Sequence, residues 1–273
     1  MKRILFSVFL LISFCASAQD QTVRIFSHRG GRQEFDQNTI PAFEASYQAG
    51  YRGYETDIRL TKDGKLVILH DSNFKKFFGI DAVVEDMTAA EIKKIKTREG
   101  NEIMFLDELM DWIDSKGDIT YVEFELKSNP REKYPQEKLE ELCEKVYKRV
   151  MKKKPAGATY LITSGDYRGL RYLQQAHPEA EMLVITGKPV NDETIALCKA
   201  LGINRLGAKL GGTSREAVAK AHKAGLIVSL WPGNKPDDAV LGAYLGADYL
   251  CTDVPVAVKK QLTEKFPWIK AIY

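Results

Sequence analysis

The residues most able to do chemistry in this chain come in short, separated pairs. Two histidines each end an apolar run, His28 in Ser27-His28-Arg29-Gly30-Gly31 and His70 in His70-Asp71. Glu55 and Asp57 lie two apart, as do Glu125 and Lys127. On an extended strand such a spacing puts both side chains on one face. Three carboxylates brought together this way repel one another unless a cation lies between them. Carboxylate oxygens suit a hard divalent ion, Mg²⁺ or Ca²⁺, whereas zinc would ask for Cys or His ligands. His titrates near neutrality and can give or take a proton at pH 7. Arg29 offers a fork of N–H donors for a phosphate, and Lys127 a point charge. Metal, Arg and Lys together make a centre for stabilising negative charge on phosphorus. His177 and His222 lie in helical segments and read as non-catalytic.

These residues must be carried by elements that bring them to one place. VRIFSH (23–28) reads as a strand and IPAFEASYQAG (40–50) as a helix ended by Gly50. Residues 56–70 read as a hairpin turning at Asp63-Gly64. MTAAEIKKIKT (87–97) reads as a helix with Thr88 and Glu91 forming a capping box. Beyond strand 118–127, helices over 135–154, 166–176, 191–201, 213–224 and 236–244 each precede a short apolar strand, and a last helix starts near Pro255. Eight strands each followed by a helix predict an α/β fold, a single (β/α)8 TIM barrel with a small irregular insertion after strand 2. An open doubly wound sheet is the alternative, weakened because no GxGxxG follows any strand. In a barrel the C-terminal strand ends form the site, and there the sequence puts His28, Arg29, Glu55, Asp57, His70, Glu125 and Lys127. Trp231 ends the seventh strand, where it either stacks on a substrate head group or packs in the barrel. Glu123 shares a face with Glu125 but lies deeper, and is expected to pair with a buried base. Asp253 is expected to be structural, fixing the last loop.

Length and composition agree with one exported domain. Of 273 residues, 44% are hydrophobic and 28% charged, which excludes a disordered chain. Lys2 and Arg3, the apolar run Ile4 to Phe14 and then Ala16-Ser17-Ala18 read as a signal peptide over residues 1–18. The run is too short to span a membrane, and Phe14 is bulky for a lipidation signal at Cys15. The mature domain is then residues 19–273, periplasmic or secreted. Without Lys2 and Arg3 the basic count falls from 40 to 38 against 37 acidic residues, so no nucleic-acid footprint is present. Cys143, Cys198 and Cys251 are odd in number and far apart, reading as buried hydrophobes rather than a disulfide framework.

The block HRGGRQEFDQNTIPAFEASYQAGYRGYETDIRLTKDGKLVILHD resembles the signature of the glycerophosphodiester phosphodiesterase family. Glu125-Leu126-Lys127 and the closing GADYLCTDVP match as well, so the resemblance spans essentially the whole mature chain. It implies His28 and His70 as the acid–base pair, Glu55, Asp57 and Glu125 as ligands of one divalent cation, and Arg29 and Lys127 as phosphate contacts. It implies a small-molecule substrate, a glycerol-headed phosphodiester cleaved to glycerol phosphate and an alcohol, by water or through a cyclic phosphate. The family's Pro-Glu-Asn-Thr reads Asp36-Gln37-Asn38-Thr39 here, with Gln37 expected outside the metal shell. Ile103-Met104-Phe105 stands where the family has Ile-Pro-Thr, and Phe74, Phe77 and Phe78 make the insertion more apolar than usual. That segment is expected to overhang the site. A lysolipid substrate, cleaved in phospholipase D fashion, would need an exposed apolar rim there. A barrel that binds a phosphorylated ligand without turnover is the remaining alternative.

Overall fold

The computed structural model describes residues 22–273; the signal peptide expected over 1–18 lies outside them. Eight parallel strands form the barrel: β1 (Thr22–His28), β2 (Gly53–Leu60), β4 (Tyr121–Leu126), β5 (Thr159–Ser164), β6 (Met182–Pro189), β7 (Arg205–Lys209), β8 (Ile227–Gly233) and β9 (Tyr249–Thr252). They are hydrogen-bonded in the order β1-β9-β8-β7-β6-β5-β4-β2, and β1 pairs again with β2. The sheet is therefore closed, and the open-sheet alternative is excluded. β3 (Leu66–Ile68) folds back antiparallel on β2, as the Asp63-Gly64 turn predicts. β10 (Lys270–Ile272) adds a parallel strand beside the start of β1, which the sequence reading does not anticipate.

The outer helices are α1 (Ile40–Gln48), α4 (Leu106–Lys116), α5 (Gln136–Met151), α6 (Tyr167–Ala176), α7 (Asp192–Leu201), α8 (Arg215–Lys223), α9 (Pro236–Leu245) and α10 (Pro255–Lys265). Their starts follow from capping chemistry. Thr39, Asp166, Asn191 and Ser214 each accept a hydrogen bond from a backbone N–H of the helix they precede. The helices bury one apolar stripe against the barrel, forming a continuous core that holds Phe43, Tyr54, Trp112, Leu139 and Leu206. No helix among the described residues is long and apolar enough to cross a membrane.

Inside the barrel, Phe26, Tyr121, Leu161, Leu183 and Cys251 plug the floor, with the Tyr121 and Tyr249 rings stacked 4.8 Å apart. The candidate site residues lie above this layer, at the C-terminal strand ends. The insertion after β2 contains two single-turn helices, α2 (Lys75–Phe78) and α3 (Ala89–Ile92). It has a small core of its own, built from Val67, Leu69, Phe74, Val84, Ile92, Ile95, Ile103 and Phe105. The Thr88–Glu91 capping box forms as expected, but the helix stops after four residues. Ile92 and Ile95 both bury into this core, and Lys96 pairs with Glu102 as an isolated bridge. Tertiary packing overrides the helical pattern there. The three cysteines are free and buried.

Candidate active site

The loop after β1 has an unusual backbone. Arg29, Gly30 and Gly31 all have positive φ, at 54°, 80° and 98°. A Cβ on Gly30 would lie 2.7 Å from the Ala42 Cβ, and one on Gly31 would lie 2.8 Å from Pro255, so glycine is required at both. This tight turn swings Arg29 back across the barrel mouth. Its Nε lies 2.8 Å from Asp57 Oδ2, and its Nη1 donates to Gln37 Oε1 at 3.1 Å. Gln37 thus buttresses Arg29 and stands outside the carboxylate cluster.

Strand register assembles the carboxylates. Asp57 lies opposite Glu125 and Glu55 opposite Glu123 along the β2–β4 ladder, while His28 on β1 pairs with Glu55. Glu55, Asp57 and Glu125 each offer an oxygen within 4.8 Å of the others, and all three are buried. Both Glu55 oxygens and Asp57 Oδ1 are buried without a hydrogen-bond partner. Burial and the Asp57 charge push the Glu55 carboxyl well above its ordinary range. Burial alone would push Asp57 up too, but Arg29 and then Lys127 hold it well below the usual carboxylate range. Lys127 Nζ lies 2.7 Å from Glu125 Oε1 and 3.3 Å from Asp57 Oδ1. Orphaned carboxylate oxygens at this density are what a hard divalent cation satisfies, so these residues fit such an ion. His28, Glu55 and Cys251 form a second potential ligand group. Burial keeps the Cys251 thiol far above its ordinary pKa. A neutral thiol is a poor ligand, so the carboxylate set is the better one.

Each of the two histidines is held by an aspartate. His28 Nδ1 lies 2.5 Å from Asp253 Oδ1, leaving Nε2 to face Glu55 Oε2 at 3.5 Å. His70 Nδ1 lies 2.5 Å from Asp71 Oδ1. Such contacts at Nδ1 fix which ring nitrogen faces the site. Burial and the Arg29 charge hold the His28 imidazole down at about 4, and burial lowers His70 as well. Both rings are therefore neutral at pH 7 in the free protein. Asp253 departs from the sequence expectation. It does tie the last loop, accepting from Gln33 at 3.1 Å and pairing with Arg32 at 2.7 Å, but its first partner is His28. The two are 225 residues apart, beyond the reach of any local pattern.

Glu123 also differs from expectation. Its partner is not a base but the Tyr121 hydroxyl, which donates at 2.5 Å from the same strand face. Burial raises the Glu123 carboxyl to about 7. Asn38 was not singled out from sequence as a site residue. It adopts a positive φ of 57°, and its Nδ2 donates to Asp57 Oδ2 at 3.0 Å. An Asn just ahead of a Thr helix cap is the signal that could have found it, since Asn tolerates the left-handed region.

His28, Arg29, Glu55, His70, Glu125, Lys127 and Trp231 all line one cleft of about 750 Å³; Asp57 lies directly beneath. Trp231 is half-buried on the cleft wall and also packs against the barrel-floor cluster. Its indole N–H is buried without a partner. Of the insertion phenylalanines, Phe74 is fully buried, while Phe77 and Phe78 are half-buried beside His70 around a second cavity of about 550 Å³.

The sequence pattern of the glycerophosphoryl diester phosphodiesterase family matches residues 28–257. The chain belongs to this family. As a glycerophosphodiester phosphodiesterase it is an enzyme of phosphodiester hydrolysis acting on a small molecule. It is 26% identical over 247 residues to a glycerophosphodiester phosphodiesterase of Bacillus altitudinis, covering 85% of this chain and 95% of that one. It is 28% identical over 242 residues, with the same coverage, to the uncharacterised protein YqiK of Bacillus subtilis. Among solved structures, an Oleispira antarctica phosphodiesterase bound to its product sn-glycerol-3-phosphate superposes with a TM-score of 0.79. That match has 20% identity and covers 88% of this chain and 97% of the other. Family enzymes generally depend on a divalent metal, and the buried carboxylate cluster of this phosphodiesterase is suited to one.

Proposed function

We propose that the chain hydrolyses glycerophosphodiesters with one divalent cation, Mg²⁺ or Ca²⁺, held by Glu55, Asp57 and Glu125, and with His28 and His70 moving the protons. The observation that carries this reading is the set of buried, unpartnered carboxylate oxygens flanked by Arg29, Lys127 and two aspartate-held histidines. When bound, the cation would act as a Lewis acid on a phosphoryl oxygen. Arg29 and Lys127 neutralise charge developing on the remaining oxygens. His28, deep and neutral, accepts the proton of the attacking nucleophile, water or the glycerol's own hydroxyl, and Asp253 stabilises the resulting imidazolium. His70, closer to solvent, delivers a proton to the departing alcohol oxygen. Trp231, half-buried on the cleft wall, stacks on the substrate in this reading. A lysolipid would need an exposed apolar rim; in the insertion Phe74 is buried, Phe77 and Phe78 are half-buried and Ile80 is exposed.

The reaction is tested by release of glycerol 3-phosphate from glycerophosphocholine and glycerophosphoethanolamine, with EDTA and with Mg²⁺ or Ca²⁺ restored. Release that stops in EDTA and returns with a hard cation supports the reading; full activity in EDTA overturns the metal. We also propose export, to periplasm or medium, from the pattern of residues 1–18. Sequencing the secreted chain should give Gln19 as its first residue, and an intact Met1 would contradict this.

A further inference from the structure

The site does not end at the carboxylates. Glu125, Lys127 and Gly165 also line a second, wider cleft of about 1220 Å³, together with Arg131, Arg168 and Arg171. It runs between the β4–α5 connection and the first turns of α6. Four of its charged groups are engaged. Lys127 is held by Glu125 and Asp57. Arg168 forks onto Asp166, with Nη2 to Oδ2 at 2.5 Å and Nε to Oδ1 at 3.0 Å, and Ser128 donates to the same carboxylate at 2.9 Å. Arg131 and Arg171 are different. Both are exposed, and among the described residues neither side chain has a hydrogen bond, ion pair or ring contact. The only carboxylates lining the cleft, Glu125 and Asp166, are already used. Two guanidinium groups with no counter-charge therefore line a space continuous with the phosphoryl centre. The cavity on the other flank, beside His70, has a mixed lining that includes Asp36, Asp71, Arg98, Phe77 and Phe78.

We propose that the basic cleft is a specificity subsite for a second anionic group, a phosphate or phosphodiester carried by the leaving alcohol. A guanidinium presents paired N–H donors that match phosphate oxygens, and two of them beside one channel favour a dianionic substrate over one with a neutral or cationic alcohol. This inference rests on the phosphodiesterase reading and narrows its substrate class to glycerophosphodiesters whose alcohol is itself phosphorylated, as in short oligomers of glycerol phosphate. In the reaction the oxygen of water forms the new bond to the terminal phosphorus. The bond from that phosphorus to the inner glycerol oxygen breaks, and the released oxygen takes a proton. The phosphate that stays with the leaving alcohol is the one the two arginines bind.

The test compares kcat/KM for three diesters on the metal-supplied mature chain: 1,3-bis(glycerophospho)glycerol, glycerophosphoglycerol and glycerophosphocholine. The first should exceed the other two by about tenfold at low ionic strength, a gap that narrows as salt screens the exposed arginines. Arg131→Gln and Arg171→Gln should each lower kcat/KM for the bis-phosphodiester by about fivefold, the range of a single partly exposed charge pair. The double variant should close the gap while glycerophosphoglycerol stays within about twofold of wild type, a rate that also reports correct folding. Turnover of all three without discrimination, or equal losses on all three in the double variant, would overturn the subsite alone. No turnover of any diester would overturn the phosphodiesterase reading beneath it, and the subsite with it.

Discussion

Along β2, Glu55, Asp57 and Arg59 occupy alternate positions and so share one face, yet they end in two different kinds of buried charge cluster. Arg59 is fully buried and its charge is answered within the chain. It donates to the His70 carbonyl at 3.1 and 2.6 Å, to Asn129 O and Oδ1 at 2.6 and 2.9 Å, and to Glu85 Oε1 at 2.9 Å. The Tyr134 hydroxyl donates to the same glutamate oxygen at 2.8 Å. That cluster ties the insertion, the loop beyond Lys127 and the backbone of His70 into one piece. Glu55 and Asp57, four and two residues earlier, keep three buried oxygens without a hydrogen bond, whereas the Arg59 cluster leaves one, Glu85 Oε2. The cluster centred on an arginine serves architecture; the one crowded with carboxylate oxygens is suited to a cation.

The contrast predicts opposite behaviour on mutation. Glu55→Gln should lower turnover by about a thousandfold, since losing the ion removes several kcal/mol of transition-state stabilisation. The same change should leave the metal-free chain as stable as wild type or more so, because it relieves repulsion among buried carboxylates. Urea melts in EDTA beside a steady-state assay check both halves; a large loss of metal-free stability would break the comparison. Arg59→Met should destabilise by about 3–5 kcal/mol by stranding Glu85, and adding Glu85→Leu should recover much of it. A double variant no more stable than the single would show that the pair is not the unit.

Smaller effects probe the histidine supports. Asp253→Asn should lower kcat by about a hundredfold, within the range of general acid–base catalysis, with cation affinity unchanged. Loss of cation binding in that variant would mean that Asp253 shapes the metal site rather than the ring of His28. Asp253 also predicts acid behaviour. Burial would raise its carboxyl, but the His28 hydrogen bond and then Arg32 bring it down to about 2 from an ordinary 3.8. Its folded pKa lies below the unfolded one, so its stabilisation, about 2 kcal/mol, is complete above pH 4 and lost as pH falls through 2. Glu44, held at about 2 by Lys116, Gln48 and Trp112, loses its contribution in the same direction. Melting temperature should fall steeply between pH 4 and 2, and Asp253→Asn should flatten that fall.

The motif residues were legible in the sequence because each lies within a few residues of the turn or strand end that aims it. Alternating elements gave the barrel, and spacing of two gave the shared faces of Glu55 with Asp57 and Glu125 with Lys127. What escaped depends on partners distant in the chain. Asp253 meets His28 only once β9 closes beside β1. Arg59 finds Glu85 and Asn129 only after the insertion folds. β10 exists only because β1 offers it an edge, and the helix expected over 87–97 yields to burial of Ile95. The partner of Glu123, expected to be a base, is instead the Tyr121 hydroxyl, two residues away on its own strand, where period two alone pointed at the answer.

The most direct test of the central claim is calorimetric titration of the EDTA-stripped chain with Mg²⁺, Ca²⁺ and Zn²⁺, in wild type and Glu55→Gln. The incomplete carboxylate cluster predicts one hard cation per chain, a rise in melting temperature with ion concentration, and loss of both in the variant. Saturation by Mg²⁺ or Ca²⁺ that is indifferent to Glu55→Gln, or binding of Zn²⁺ alone, would contradict it.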